Sequence, residues 1–229
     1  LTNALALGRG FLNEVESKEV LNDAGIATIE TYLATSKAQA VEFADKIGFP
    51  VVLKIISPQI LHKSDVGGVR LGLQNKEEVS SAYEEIMDRV SVNDPSAEID
   101  GTSIQRMAHP GIEVIMGMSK DPQFGPVLMF GLGGISVEIL KDVSFRIVPL
   151  VQRDAEDMIK EIKGYRLLEG YRGQDPVNIK LLEATLLKLS DFVQSHPEIK
   201  EIDLNPILAY KDKLVTVDAW IVLEETVES

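Results

Sequence analysis

Among the 229 residues there are three histidines and no cysteine, so a thiol nucleophile is excluded and an imidazole nucleophile has three candidates. His109 and His196 each precede a proline in a turn and read as structural or solvated. His62 is different. It follows the apolar pair Ile60-Leu61 and precedes Lys63-Ser64-Asp65, which puts an imidazole on a loop between cationic and hydroxyl groups. A neutral imidazole attacks phosphoryl groups well and divides one long-range transfer into two short ones. Lys63 and the N–H groups of nearby glycines would neutralise the phosphoryl oxygens. A lone histidine is also commonly a packed or capping residue, and the spacing leaves both readings open.

Lys54 lies inside an otherwise apolar strand, and Gly67-Gly68 follow on the way to the next strand. Paired glycines let backbone N–H groups approach a ligand, and a lysine point charge beside them suits a polyphosphate. A hairpin turn with a snorkelling lysine accounts for the same residues, and no Walker A pattern is present. Near the C-terminus, Glu201-Ile-Asp203-Leu-Asn205-Pro206 alternates so that Asp203 and Asn205 share one face of a strand, and Asp218 follows on the next. Three oxygen ligands of this kind, completed by waters and phosphates, suit Mg²⁺. Alternation on a half-exposed strand would look the same. Gln105-Arg-Met107 and Glu113 flank a Pro110-Gly111 turn, where a connection can meet an adenine edge and a carboxylate can meet ribose hydroxyls; a plain hairpin is the other reading. Gly131-Leu-Gly133-Gly134 and Arg146 are compatible with phosphate contact, but their spacing is not the dinucleotide fingerprint.

These residues need elements to hold them. Glu14 to Ala24 has helical spacing and stops at Gly25, Ile29 to Ala34 reads as a strand, Lys37 to Ile47 as a helix ended by Gly48, and Pro50 to Ile56 as a β-branched strand. The alternation signals α/β with parallel-type strands. A helix over Lys76 to Val90 precedes four short strands, Thr102 to Met107, Glu113 to Met118, Gly125 to Phe130 and Ser144 to Val148, in a mainly antiparallel block. Helices over Asp154 to Ile162 and Ile179 to Gln194 and strands over Glu201 to Asn205 and Val215 to Leu223 close the chain. The class expected is α+β (α/β): a small front lobe of about residues 25–107, a larger back lobe of about 108–229 on which the helix of residues 14–24 packs, and a ligand cleft between lobes.

Composition narrows the partners. With 45% hydrophobic and 26% charged residues the chain can bury a core, and a formal net charge of −13 argues against nucleic acid and anionic membrane. The longest charge-free stretch, Pro122 to Val137, carries four glycines and an internal proline and falls short of the ~20 apolar residues of a membrane span. Without cysteine there is no disulfide or thiolate site. The first residues lack the pattern of a secretory signal, and the chain is read as cytoplasmic.

The stretches FPVVLKIISPQILHKSDVGGVRLGL, EVIMGMSKDPQFGPVLMFGLGG, SVEILKDVSFRIVPL, LLEGYRG and DLNPILAY, with the Glu14-Val-Glu-Ser-Lys-Glu-Val-Leu segment, resemble one family along nearly the whole chain. That family is the ATP-grasp β subunit of ADP-forming acyl-CoA synthetases such as acetate–CoA ligase, with the succinyl-CoA synthetase β subunit as a more distant relative. The resemblance implies an ATP-grasp fold with a nucleotide cleft, Mg²⁺ and ATP/ADP, and a CoA-binding α partner in an α2β2 heterotetramer. It implies that Lys54 touches nucleotide phosphates and that Glu113 lies beyond the adenine-binding connection around Gln105 and Met107. Gly67, Gly68 and Arg146 would also serve the nucleotide, and Asp203, Asn205 and Asp218 would hold Mg²⁺. His62 would accept a phosphoryl group from a partner phosphohistidine and deliver it to ADP, with Gly67 and Gly68 as hinges, while acyl activation would rest with the partner. Trp220 stands where the family usually has arginine, so contacts near the metal ligands are expected to differ. An ATP-grasp ligase that forms an acyl phosphate directly, and a non-catalytic nucleotide-binding module, are the alternatives.

Overall fold

The computed structural model describes residues 1–60, 63–134, 141–170 and 175–224, and the backbone contacts divide the chain into two compact units. His62 lies outside the described residues. The first unit comprises Leu1–Leu12, Glu16–Thr28 and Pro110–Ser229; the second comprises Asn13–Val15 and Ile29–His109.

The second unit is a four-stranded sheet, β2 (Thr31–Ala34), β5 (Gly101–Arg106), β3 (Val51–Ile56) and β4 (Val69–Leu73) in that spatial order, with helices α3 (Lys37–Ile47) and α4 (Lys76–Asn93). Ser36 caps α3 by accepting from Gln39 N, and Asn75 caps α4 by accepting from Glu78 N, with Glu77 and Glu78 in its positive first turn. Gly48 ends α3 at φ +84°, a conformation open to glycine at little cost. One face of the sheet, carrying Val51, Leu53, Ile55 and Ile104, packs with Ala40, Ala44, Val79, Ile86 and Val90 of the helices. The other face carries Val52, Lys54, Ser103 and Gln105, as the pairs Lys54↔Ser103 and Val52↔Gln105 require.

All three ladders of this sheet are antiparallel, which overturns the parallel strands expected from the alternation. The cause is topological. Strands β2 and β3 flank α3 and run in one direction, but β5 enters between them and pairs antiparallel with both. The local pattern of a crossover unit is real; the neighbour of each strand comes from about 50 to 70 residues downstream.

The first unit holds helices α1 (Thr2–Ala6) and α2 (Glu14–Asp23, whose first two residues count with the second unit) and a seven-stranded antiparallel sheet. The sheet order is β1 (Phe11–Leu12), β11 (Ala219–Leu223), β9 (Ile199–Ala209), β6 (Ile112–Asp121), β7 (Gly125–Leu132), β8 (Val143–Ile147), with β10 (Leu214–Thr216) also paired to β9. Helices α5 (Gln152–Glu161), α6 (Tyr165–Leu168) and α7 (Ile179–Ser195) complete it. Leu182, Leu186, Leu189 and Val193 of α7 recur at helical spacing and bury against Met116, Met118, Leu128, Phe130, Ile202 and Leu204 of the sheet. The short elements α1, β1 and α6 have too few residues for periodicity to reveal, and the strand expected over Val215 to Leu223 is two, β10 and β11, separated by Val217-Asp218.

Strand β9 runs through Pro206, well past the strand end expected at Asn205. A proline removes a ladder donor, and the ladder yields locally: Met116 pairs with Leu204 but Val114 pairs with Ile207, so β9 carries one extra residue between them. A bulge of that kind re-aims side chains, and this one falls at Asn205-Pro206, beside Asp203.

Candidate functional site

In the second unit the polar groups gather on the sheet face turned away from α3 and α4. Lys54 is 6% exposed; its Nζ lies 2.7 Å from Glu14 Oε1, and Ser103 Oγ donates to Glu14 Oε2 at 3.3 Å. Lys63 Nζ faces the same Oε2 at 3.3 Å. Gln105, buried next along β5, has its Oε1 3.5 Å from Thr31 Oγ1. Met107, just past β5, donates its N–H to Pro50 O at 2.9 Å, so that N–H is engaged within the sheet.

The residues after position 62 form a tight turn. Gly67 N donates to Ser64 O at 3.0 Å, Gly68 N to Lys63 O at 2.7 Å, and Ile55 N to Gly68 O at 2.8 Å. Arg70 Nη1 and Asn93 Nδ2 donate to the carbonyls of Gly67 and Val66. Gly67 and Gly68 were expected to serve the nucleotide and to act as hinges. Their amides are already used inside the turn, which fastens the segment to β3. Gly67 is required for φ +70°, and Gly68 for close approach: a Cβ there would stand 2.5 Å from Ile55 Cγ2 and 2.9 Å from Lys63 O. Gly68→Ala is therefore expected to destabilise the protein by about 1–3 kcal/mol, the usual cost of forcing an extra methyl into a packed site, read as a lower melting temperature.

In the first unit the oxygen ligands expected for a metal come together. Asp203 pairs with Trp220 on one side and Gly117 on the other, while Asn205 N donates to Asp218 O at 3.2 Å across the β9–β11 ladder. Asp203, Asn205 and Asp218 thus share one end of one sheet face; Asp218 sits one residue before β11 rather than within it. Burial, and then the negative charges of Asp218 and Glu201, push the Asp203 carboxyl up from 3.8 to about 6. Two carboxylates and an amide make an all-oxygen donor set, and the crowding of negative charge at Asp203 is what a divalent cation would relieve. Among the described residues no group of three or more His, Cys, Asp or Glu is placed to hold a metal ion, so any cation here would rest on fewer carboxylates with other oxygen donors. Trp220, the departure noted in sequence, pairs directly with Asp203 across the β9–β11 ladder.

Glu113 stands near the start of β6, against the turn that follows β7. Gly133 N donates to Glu113 O at 2.7 Å, and a Cβ on Gly134 would lie 2.9 Å from Glu113 Oε2. Those glycines make room for Glu113. Arg146 is not brought to this set. The row Arg146–Leu128–Met118–Ile202 belongs to the helix-packed face, opposite the row Phe145–Met129–Gly117–Asp203. Arg146 instead holds Glu161 of α5 through bonds of 2.9 and 2.6 Å, which raises its own pKa and lowers that of Glu161. Alternation along β8 decides this, and the strand's register was not visible in sequence. His196 is structural as expected: it ends α7, with Nδ1 2.8 Å from Phe192 O and its ring against Phe192. Sequence reading missed Glu14, because it lies 40 positions from Lys54 and no local pattern pairs the two.

Three comparisons with known proteins bear on this geometry. A family model described as an ATP-grasp domain matches residues 3–223. The chain is 51% identical over 212 residues to the acetate–CoA ligase [ADP-forming] I subunit beta of Pyrococcus furiosus, covering 93% of this chain and 91% of that one. Its structure superposes with a TM-score of 0.95 and 49% identity, over 97% of both chains, on Ca. Korarchaeum cryptofilum dinucleotide forming acetyl-coenzyme A synthetase 1 in complex with coenzyme A, Ca-AMPCP and HgCl+. A selenomethionine form of that enzyme, with coenzyme A and Mg-AMPPCP and its phosphohistidine segment pointing towards the nucleotide binding site, gives a TM-score of 0.85 at 45% identity, again over 97% of both chains.

Proposed function

The chain belongs to the ATP-grasp family, within it to the β subunits of ADP-forming acetate–CoA ligases, and from that premise we propose that it is the subunit in which ATP is made: His62 takes a phosphoryl group from a phosphohistidine of a CoA-binding α subunit and passes it to Mg·ADP. In the partner, acyl-CoA and phosphate exchange to give CoA and an acyl phosphate, whose phosphoryl group moves to the partner's histidine and releases the acid. The imidazole of His62 then attacks that phosphorus, forming one N–P bond as the partner's breaks. Finally the terminal oxygen of ADP attacks the phosphorus on His62, giving ATP and restoring the free imidazole. An α2β2 assembly suits this relay.

Supporting the reading is the oxygen set Asp203, Asn205 and Asp218 on one sheet face, with Asp203 pushed to about 6. These residues would hold Mg²⁺, which when bound neutralises charge on the nucleotide phosphates. Lys54, paired with Glu14, would offer its ammonium to the phosphate oxygens. Gln105 and Met107 would border the adenine and Glu113 the ribose; Arg146 is left to its structural pair with Glu161. Direct transfer to a carboxylate would give the His62 segment no task.

With Mg²⁺ and γ-labelled ATP, the chain is expected to acquire a base-stable, acid-labile label at His62, and ATP synthesis from acetyl-CoA, ADP and phosphate is expected only when a CoA-binding partner is added. No label, or a label on a carboxylate, would sink the reading. Lys54→Met is expected to weaken Mg·ADP binding by about 10- to 100-fold, the worth of a charge-assisted hydrogen bond in a shielded site, measured by titration calorimetry.

A further inference from the structure

Glu14 has no part in the relay just described, yet its carboxylate stands at a junction of it. Its side chain is 1% exposed; Oε1 meets Lys54, and Oε2 meets both Lys63 and Ser103. Lys54 is the lysine assigned to nucleotide phosphates, and Lys63 is covalently next to His62. One buried anion therefore fixes the residue that reads the nucleotide and the residue adjoining the phosphoryl carrier.

A purely structural ion pair is a weak explanation for this arrangement. Burying charges costs more desolvation than attraction returns in many proteins, and apolar residues of similar volume would pack such a face at least as stably. The strand itself shows that alternative: Val52 occupies the same sheet face as Lys54. The geometry is three-way: one carboxylate oxygen meets Lys54 and the other meets Lys63 and Ser103, so a single anion holds both lysines in place.

Resting on the function proposed above, we propose that Glu14 is a positioning residue: it aims Lys54 at the nucleotide phosphates and, through Lys63, anchors the base of the His62 segment for phosphoryl transfer. The two lysines then have separable roles. The Lys54 contact acts on nucleotide binding; the Lys63 contact acts on the transfer rate.

The test uses the full chain assembled with its CoA-binding partner and compares Glu14→Gln, Glu14→Asp and Lys63→Gln, with circular dichroism melts to check folding. For Glu14→Gln, KM for Mg·ADP is expected to rise and kcat to fall, each by about tenfold or more, the loss of charge-assisted bonds at both lysines. Glu14→Asp keeps the charge one methylene shorter and is expected to recover KM to within about threefold of wild type. Lys63→Gln is expected to leave KM within about twofold and lower kcat by about five- to tenfold. A folded Glu14→Gln protein with wild-type KM and kcat overturns the proposal. If Glu14→Gln does not fold, Lys63→Gln decides: a change in KM with kcat untouched overturns it, and the reverse split supports it. Absence of His62 label in the wild type overturns the functional reading together with this proposal, whereas a labelled wild type matched in rate by Glu14→Gln overturns the positioning role alone.

Discussion

A His62→Ala chain, assembled with its CoA-binding partner, is expected to form ATP from acetyl-CoA, ADP and phosphate on the order of ten-thousandfold more slowly than the wild type, the scale of loss when a covalent nucleophile is removed. Alanine offers no lone pair to the phosphorus, and direct transfer from a partner histidine to ADP would require the two sites to meet. Nucleotide affinity is a separate quantity, because in the proposed site Lys54 and the oxygen set would hold Mg·ADP without the imidazole. The variant should thus bind Mg·ADP within about twofold of wild type while losing the label from γ-labelled ATP, a pure transfer defect. Calorimetry and a label chase measure the two sides. If His62→Ala retains an acid-labile label at the wild-type rate, the carrier is another residue.

The second large effect is expected at Asp203. Asp203→Asn removes a charge that the proposed Mg²⁺ site needs, and Mg·ADP affinity should fall by roughly a hundredfold or more, as for loss of a charged ligand in a shielded site. The same substitution should make the metal-free protein more stable. In the folded chain the Asp203 carboxyl titrates at about 6 instead of 3.8. Between those values the folded state holds the proton more tightly than the unfolded chain does, so stability falls as pH rises through the window, and the whole penalty is present above about pH 6. A neutral amide removes that penalty. At pH 8 the gain is on the order of 2 kcal/mol, a rise of several degrees in melting temperature, and it should vanish near pH 4. Mg²⁺ binding needs the deprotonated carboxylate, so wild-type affinity should drop about tenfold per unit as pH falls below 6. Melts with and without Mg·ADP at pH 5 and pH 8 test both signs; an Asp203→Asn protein less stable than wild type at pH 8 without metal would contradict the account.

The two substitutions also separate what sequence and structure each contribute. The alternation Asp203-Leu-Asn205 is a period-two pattern that suggests one shared face, although the bulge at Asn205-Pro206 is a feature of the ladder and not of the pattern. Helices α3 and α4 were legible for the same reason: the apolar spacing and, for α3, the stop at Gly48 are local to one element. Arg146 shows where such reading stops. Its neighbours along the chain favour phosphate contact, but strand register turns it to the helix-packed face and gives it Glu161. Gly67 and Gly68 show the same limit, since their amides are committed by Lys63, Ser64 and the close wall of Ile55.

The sequence by itself determined the elements, the donor types and the family resemblance, because propensity, capping and motif spacing are short-range properties. Tertiary structure alone decided three things: that β5 separates β2 from β3, that an extra residue in β9 sets the bearing of Asn205, and that Glu14 stands between Lys54 and Lys63. Each is a contact between residues about 40 to 90 positions apart. Such contacts arise when separate strands and helices bury their faces together, and no local pattern records which partner each face will find.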